Sequence, residues 1–395
     1  MLILAVLLVV AACGGDDSAQ TTTTAPPSTT TAAPSTTTSA APTTTTTLAT
    51  DRLAAFAESW SETNEQGVVL AVVPANGEAQ LFAAGFADQE VGTAVKPDDV
   101  FYVGSLTKPD VATVVMQLVE EGLVDLDAPV ETYLPDVLAG EPVTVRHVLS
   151  HQSGVFNITD YPALVIGLFS DPFQEVTPQQ VIDIALEQDR LFVPGEQFSY
   201  SNTNYLIAGS IVEAVTGNSL ADELESRVYA PLDLHDMRFA GDPGRTVVNG
   251  FTHFDGDREP DPTKPLLEST LYTVAWAAGG LAATAGEFAT FVSGAFEGPL
   301  LGSDSVATMT TSAGSEYGYG LGVLVEELGD ETVWGHGGAT PGLPLAVLLL
   351  PRRRSRPGRL YQRRGRQPLD FRRDSSRNHS RRPVIRHPTA PHATY

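Results

Sequence analysis

The stretch Tyr102–Asp110, YVGSLTKPD, sets a serine and a lysine three residues apart, Ser105 and Lys108. On a helix that spacing puts both side chains on one face, next to each other. A serine hydroxyl is a weak nucleophile until a neighbour takes its proton. A lysine whose pKa has fallen, through desolvation or nearby positive charge, can take it. Pro109 is tolerated best in a first turn, so a helix is expected to begin close to Ser105, although proline disfavours α geometry at Lys108. The Ser105 N–H would then be an unpaired donor at a helix N-terminus, open to a developing oxyanion. The bland alternative is a solvated first-turn lysine beside a capping serine. Lysine is scarce, with only Lys96, Lys108 and Lys264 in 395 residues.

The flanks indicate the elements around this pair. Downstream, Val111, Val114, Val115, Leu118 and Val119 repeat at helical spacing, and Gly122 is placed to stop the helix. Upstream, GVVLAVVPANGEAQLFAAGF reads as two strands around Asn76-Gly77. Helical patterning recurs at 178–188 and 203–216, and TVWGHGG reads as a late strand. The expected fold class is α/β (α+β): an antiparallel sheet with a helical lobe, without internal repeats.

Two further stretches carry chemistry. In FVPGEQFSYSNTNYLIAG, Tyr200 could relay protons and the Asn202 amide could hold a substrate amide; the alternative is a loop tyrosine and a helix-capping asparagine. In GHGGATPG, Gly337 and Gly338 would let a substrate backbone approach closely, His336 offers a donor, and the Ala339 N–H could be a second oxyanion donor. Taken singly, that stretch is an ordinary strand-end glycine pair.

Together, Ser105-x-x-Lys108, Tyr200-x-Asn202 and His336-x-Gly338 resemble the serine β-lactamase and penicillin-binding-protein superfamily, in its class C β-lactamase and D-alanyl-D-alanine carboxypeptidase branch. VTVRHVLSHQSGV, WAAGGLAATAGEFATF and YGYGLGV look similar too, and the resemblance spans about residues 55–350. It implies an acyl-enzyme on Ser105, proton transfer by Lys108 and Tyr200, and substrate contacts from Asn202, His336 and Gly338. The oxyanion amides would be those of Ser105 and Ala339. No metal or organic cofactor is implied. A D-alanyl-D-alanine carboxypeptidase-like activity is expected first. β-Lactamase or small-ester hydrolysis is the alternative: His336 in place of the family's lysine weakens carboxylate recognition, which counts against β-lactamase activity and keeps esterases in play. A reading of another class is a non-catalytic cell-wall-binding relative, or the inactive product of a frameshifted gene. Other catalytic layouts lack support: there is no Gly-x-Ser-x-Gly elbow and no His-Glu-x-x-His, and HFDGD at 253–257 reads as a solvated turn.

Composition divides the chain. The net charge of −24 conceals fourteen arginines and two acids in residues 351–395, leaving ten Lys and Arg against 46 Asp and Glu, a net of −36, in residues 1–350. Such acidity argues against nucleic acid or an anionic membrane as the main partner. Residues 1–13, MLILAVLLVVAAC, look like a lipoprotein-type signal segment with Cys13 as the lipid-attachment residue, which implies an extracytoplasmic, membrane-anchored protein. The alternative is a buried free cysteine. Residues 14–50, with 16 threonines and four prolines between 21 and 50, read as an extended linker, and residues 51–350 as the hydrolase domain. After Pro351 all periodicity is lost. A basic binding tail or a natural extension is possible, but arginine without lysine favours a shifted reading frame from about Gly342 to Pro351. The resemblance then implies a missing C-terminal strand and helix. The hairpin at 68–86 would face an open edge, and the chain as written is expected to be destabilised.

Overall fold

The computed structural model describes residues 5–12, 44–64, 66–73, 79–88, 92–170, 176–239, 247–248, 251–252, 261–262, 270–312, 318–328, 331–340 and 343–349. Cys13, the Asn76-Gly77 turn and the arginine-rich tail lie outside them. In chain order the elements that frame the site begin with strand β1 (Ala5–Ala12) and helix α1 (Thr44–Asn64). The hairpin strands β2 (Gln66–Val72) and β3 (Gln80–Ala84) come next, then β4 (Val100–Tyr102) and α2 (Thr107–Glu120). The middle of the chain holds α3 (Pro178–Leu186), α4 (Asn202–Thr216), β5 (Arg238–Phe239) and α5 (Thr270–Gly279). Strand β6 (Leu281–Thr284) and helix α6 (Ala285–Phe296) precede the late strands β7 (Leu324–Leu328), β8 (Glu331–Thr340) and β9 (Leu343–Leu349).

Among the described residues the main sheet has six strands in the order β7-β8-β9-β1-β2-β3, and every neighbouring pair is antiparallel. A small sheet, β4-β6-β5, lies under the site. Strand β2 reads as an unbroken apolar run because both of its faces are covered: Val68, Val69, Leu70 and Ala71 are fully buried. Two expectations from the sequence are corrected. The edge of the hairpin is not open, because β1 fills it: Leu8 pairs with Leu70 on one side and with Ala346 on the other. Residues assigned to a signal segment thus take a central position in the sheet. The last seven residues assigned to the linker, from Thr44, are helical and begin α1.

Helix α2 forms where the valine spacing predicts it, and Val111, Val114, Val115 and Leu118 are fully buried. Gly122 ends it with φ +72°, a conformation that costs other residues a Cβ clash. Helix α3 starts at a capping box in which Thr177 and Gln180 satisfy each other's backbone N–H, with Pro178 in the first turn. Helix α4 is the centre of the helical lobe, with Tyr205, Leu206, Ile207, Ala208, Ile211 and Val212 all fully buried. Its N-terminus and that of α2 meet at one point, where Lys108 reaches both Ser105 and Asn202.

One core residue opposes stability. Asp110 in α2 is fully buried, and neither carboxylate oxygen is hydrogen-bonded to another residue among those described. Burial pushes its carboxyl well above the usual carboxylate range. Unfolded, the group ionises near about pH 3.9, whereas the folded chain holds its proton to much higher pH. Its contribution to stability is therefore complete below about pH 3.9 and is lost as pH rises toward the folded value. Asp110→Asn should raise Tm at pH 7 by on the order of 5 °C, with the gain shrinking toward pH 4. Melts at the two pH values check it, and an equal shift at both would contradict this account.

Candidate active site

The nucleophile turn is built by a short 3₁₀ segment, Gly104–Leu106, that runs directly into α2. Lys108 is helical despite Pro109, and its side chain is fully buried. Its Nζ lies 3.0 Å from Ser105 Oγ, 2.8 Å from Asn202 Oδ1 and 2.6 Å from the Ala278 carbonyl oxygen. The last two are obligate acceptors and take two N–H groups. The third direction, toward Ser105, is where a neutral amine carries its lone pair. Burial holds the Lys108 ammonium well below its ordinary pKa, which favours that neutral form. The geometry is that of a general base facing a hydroxyl.

Tyr200 OH donates to Ser105 Oγ at 2.8 Å, so the serine hydroxyl sits between phenol and amine. Burial raises the tyrosine's pKa, against a smaller opposing pull from the Ser105 hydrogen bond, and keeps it a proton donor. Lys108 Nζ lies 4.9 Å from the centre of its ring. The segment carrying Tyr200 is fixed by His151, which the sequence reading quoted without a role. The Ser199 N–H donates to the His151 carbonyl at 3.0 Å, and the Ser201 N–H donates to His151 Nδ1 at 3.2 Å. One residue therefore holds the amides on both sides of Tyr200, and its ring packs on the tyrosine with centroids 4.3 Å apart.

Asn202 opens α4 as expected, but its carbonyl serves Lys108. Its Nδ2 makes longer contacts, to Asn157 Oδ1 at 3.4 Å and Thr159 Oγ1 at 3.3 Å, and this is the part of the side chain available to a ligand. The loop at 156–159 locks the start of α4: the Asn202 N–H donates to Asn157 Oδ1 and Thr203 Oγ1 donates to the Phe156 carbonyl. Asn157 and Thr159 were absent from the sequence reading, and only the neighbouring HQSG stretch could have pointed toward them.

The third stretch lies on β8. Strand β7 covers β8 only as far as Gly335, and the residues beyond lie against the Ser105 turn. Gly338 is where they touch: a Cβ there would sit 2.2 Å from the Val103 carbonyl oxygen and 3.0 Å from the Leu106 side chain. Its missing side chain accommodates the turn that carries Ser105. Ala339 follows on the same strand, paired with Pro344 of β9.

His336 is buried, and both ring nitrogens have protein partners. Nε2 meets Tyr319 OH at 2.9 Å, and Nδ1 meets the Gly337 carbonyl oxygen at 2.5 Å. Since a carbonyl can only accept, Nδ1 carries the proton and Nε2 accepts from the tyrosine. Burial, with a smaller push from Lys108, lowers the imidazole pKa to about 3, so His336 is neutral at ordinary pH. Among the described residues no group of three or more His, Cys, Asp or Glu side chains is arranged to hold a metal ion.

Residues 53–371 match the sequence pattern of the Beta-lactamase family. The chain belongs to that family. This places it in the β-lactamase and penicillin-binding-protein superfamily, and the α/β architecture is the family's. Penicillin-binding protein 4 of Amycolatopsis lactamdurans is 32% identical over 52% of this chain and 54% of its own length. Esterase EstB of Burkholderia gladioli is 31% identical over 55% of this chain and 58% of its own. The chain spans just over half the length of these curated relatives. Among solved structures, a D-stereospecific amidohydrolase from Streptomyces sp. matches at 30% identity with a TM-score of 0.59, covering 69% of this chain and 86% of that one.

Within this family site, Lys108→Ala and Tyr200→Phe should each slow fluorophosphonate labelling of Ser105 by about 10²–10⁴-fold, the usual value of a positioned acid or base. The labelling rate should rise with pH through the depressed Lys108 pKa, where the amine becomes neutral. His151→Ala should lower kcat more than it raises KM, because it frees Tyr200 without touching the substrate. Peptide mapping of the adduct and steady-state kinetics check these, with Tm recorded for each variant.

Proposed function

We propose that the protein hydrolyses amides or esters whose scissile end carries no free carboxylate, through an acyl-enzyme on Ser105. The observation that carries this reading is His336. A substrate carboxylate needs a cation or free donors at the third stretch, yet both ring nitrogens of His336 are engaged and the ring is neutral. Its neighbour Gly337 has no side chain and offers no hydroxyl. The D-alanyl-D-alanine carboxypeptidase-like activity expected from sequence, and β-lactam recognition with it, thus loses its anchoring group. Similarity to an esterase and to a D-stereospecific amidohydrolase supports the amide and ester reading, with D-amino acid amides as the first candidates.

The steps follow from the geometry. Neutral Lys108 takes the Ser105 proton as Oγ attacks the carbonyl carbon. The oxyanion develops toward the backbone N–H groups of Ser105 and Ala339. Collapse breaks the C–N or C–O bond, and the proton passes through Lys108 and Tyr200 to the departing amine or alcohol. Water then attacks the acyl-enzyme by the reverse proton path and releases the acid. The reading includes an extracytoplasmic location with a lipid anchor on Cys13, which rests on the residue pattern of 1–13 alone. Among the described residues no helix is long and apolar enough to cross a membrane.

The test compares kcat/KM for D-phenylalanine amide and p-nitrophenyl butyrate with that for an acyl-D-alanyl-D-alanine peptide. The two substrates without a carboxylate should lead by about 10²-fold or more, the discrimination a site shows when a buried carboxylate finds no partner. His336→Gln should keep at least about a tenth of the esterase activity, since no ring nitrogen is assigned to substrate. Preference for the free-carboxylate peptide would overturn the reading.

A further inference from the structure

The position of β1 is not explained by catalysis. It lies between β9 and β2, with Ala5–Val9 paired to Leu345–Leu349 and Leu7–Ala12 paired to Gln66–Ala71, antiparallel on both sides. It also packs against α6. Without it, β2 and β9 would each present a row of unpaired N–H and C=O groups, and fully buried Val68–Ala71 would border an eight-residue gap in the middle of the sheet. We propose that the space between β2 and β9 is a strand-acceptor site and that residues 5–12 are its ligand: an uncharged, wholly apolar extended segment, AVLLVVAA.

Three features fit an inserted ligand better than an ordinary strand. Its composition suits a strand covered on both faces, because it holds no polar side chain and no proline. Its register is specified twice, since Leu7, Leu8 and Val9 each have a partner on both sides. It is separated from α1 by residues 13–43, whose sequence is rich in threonine and alanine and has no apolar run, so nothing in the sequence of that stretch ties the strand to the domain except its length. By recognition mode this is strand addition, in which main-chain hydrogen bonds bind and the alternating side chains set register.

The proposal has a regulatory content. The same residues form the apolar run that resembles a secretory h-region, and one segment cannot occupy a membrane and the sheet at once. A cut between Ala12 and Cys13 would turn the strand into a separable peptide. Closed sheet and processed N-terminus are therefore alternative states of the same chain, and the first is the state with a completed core.

Amide hydrogen exchange on the full chain tests it. Residues 5–12 should be protected at least about a hundredfold over an unstructured peptide, in step with Gln66–Val72 and Leu343–Leu349. In a Cys13→Ser background, Val9→Cys with Val69→Cys, or Val10→Cys with Val68→Cys, should form a disulfide on oxidation. Directly opposed residues lie about 4.5–5.5 Å apart, within bridging distance, and the out-of-register pair Val9→Cys with Ala71→Cys should not bridge. Leu8→Pro removes a central N–H, so protection of 66–72 and 343–349 should be lost and then restored by a synthetic AVLLVVAA peptide with lysine tails. Free exchange of residues 5–12 would overturn the proposal, whether the rest of the chain is folded or not. So would unchanged protection in Leu8→Pro. Neither readout depends on catalysis, and Ser105 labelling of the same sample reports separately on the hydrolase reading.

Discussion

Everything in the site depends on where Lys108 Nζ is kept. A lysine amine in a dry core is costly unless its N–H groups are met. Here Asn202 and the Ala278 carbonyl meet two of them and leave the third direction to Ser105. Those partners come from the starts of two helices and from the last turn of a third, so α2, α4 and α5 must pack correctly before the amine is satisfied. The backbone at Trp276, with φ +28°, breaks α5 just before the carbonyl that Lys108 uses. Such a conformation is unfavourable for a bulky residue, and structures keep it where the surroundings over-determine it. The packing of the helical lobe and the basicity of the Lys108 amine are thus one constraint seen from two sides.

The groups legible in the sequence were those whose partners lie nearby in the chain or whose spacing is itself a signal. Ser105 and Lys108 are one helical turn apart, and the valines of α2 mark their own face. Tyr200 and Asn202 came as a set with them. His151, Asn157, Tyr319 and the Ala278 carbonyl did not, because their function exists only through contacts with distant residues: a histidine in HQSG gives no local sign that it holds both amides beside Tyr200. Position 338 shows a subtler limit. Glycine signals a close approach without naming the approaching group, and that group is the Val103 carbonyl. The apolar run at 5–12 was ambiguous for a physical reason as well. Eight consecutive apolar residues satisfy a membrane-directed segment and a doubly covered strand equally, and periodicity cannot separate the two.

His336 illustrates how a residue can keep its place and change its task. It stands where a substrate-facing donor was expected, with its ring centroid 6.2 Å from that of Tyr200. Its hydrogen bonds instead bind β8 to the loop carrying Tyr319, which also packs on His151. The result is an aromatic wall beside Ser105, in which Tyr200 and Tyr319 each pack on the other and on both His151 and His336.

The sheet order has a kinetic side. In β1, Ala5 pairs with Leu349, so the central strand of the sheet cannot be enclosed until nearly the whole described chain has left the ribosome. At common synthesis rates that wait is roughly 20–70 s, during which the segment is exposed and free to meet other apolar surfaces. Contacts of such sequence separation form late in folding because the intervening loop must first be closed. The helical lobe, with its short-range contacts, can assemble while the chain is still growing, whereas the sheet waits for residues 343–349. Residues 5–12, made long before residues 345–349, are among the last to find their place, and their fate is decided by whichever apolar partner reaches them in that interval.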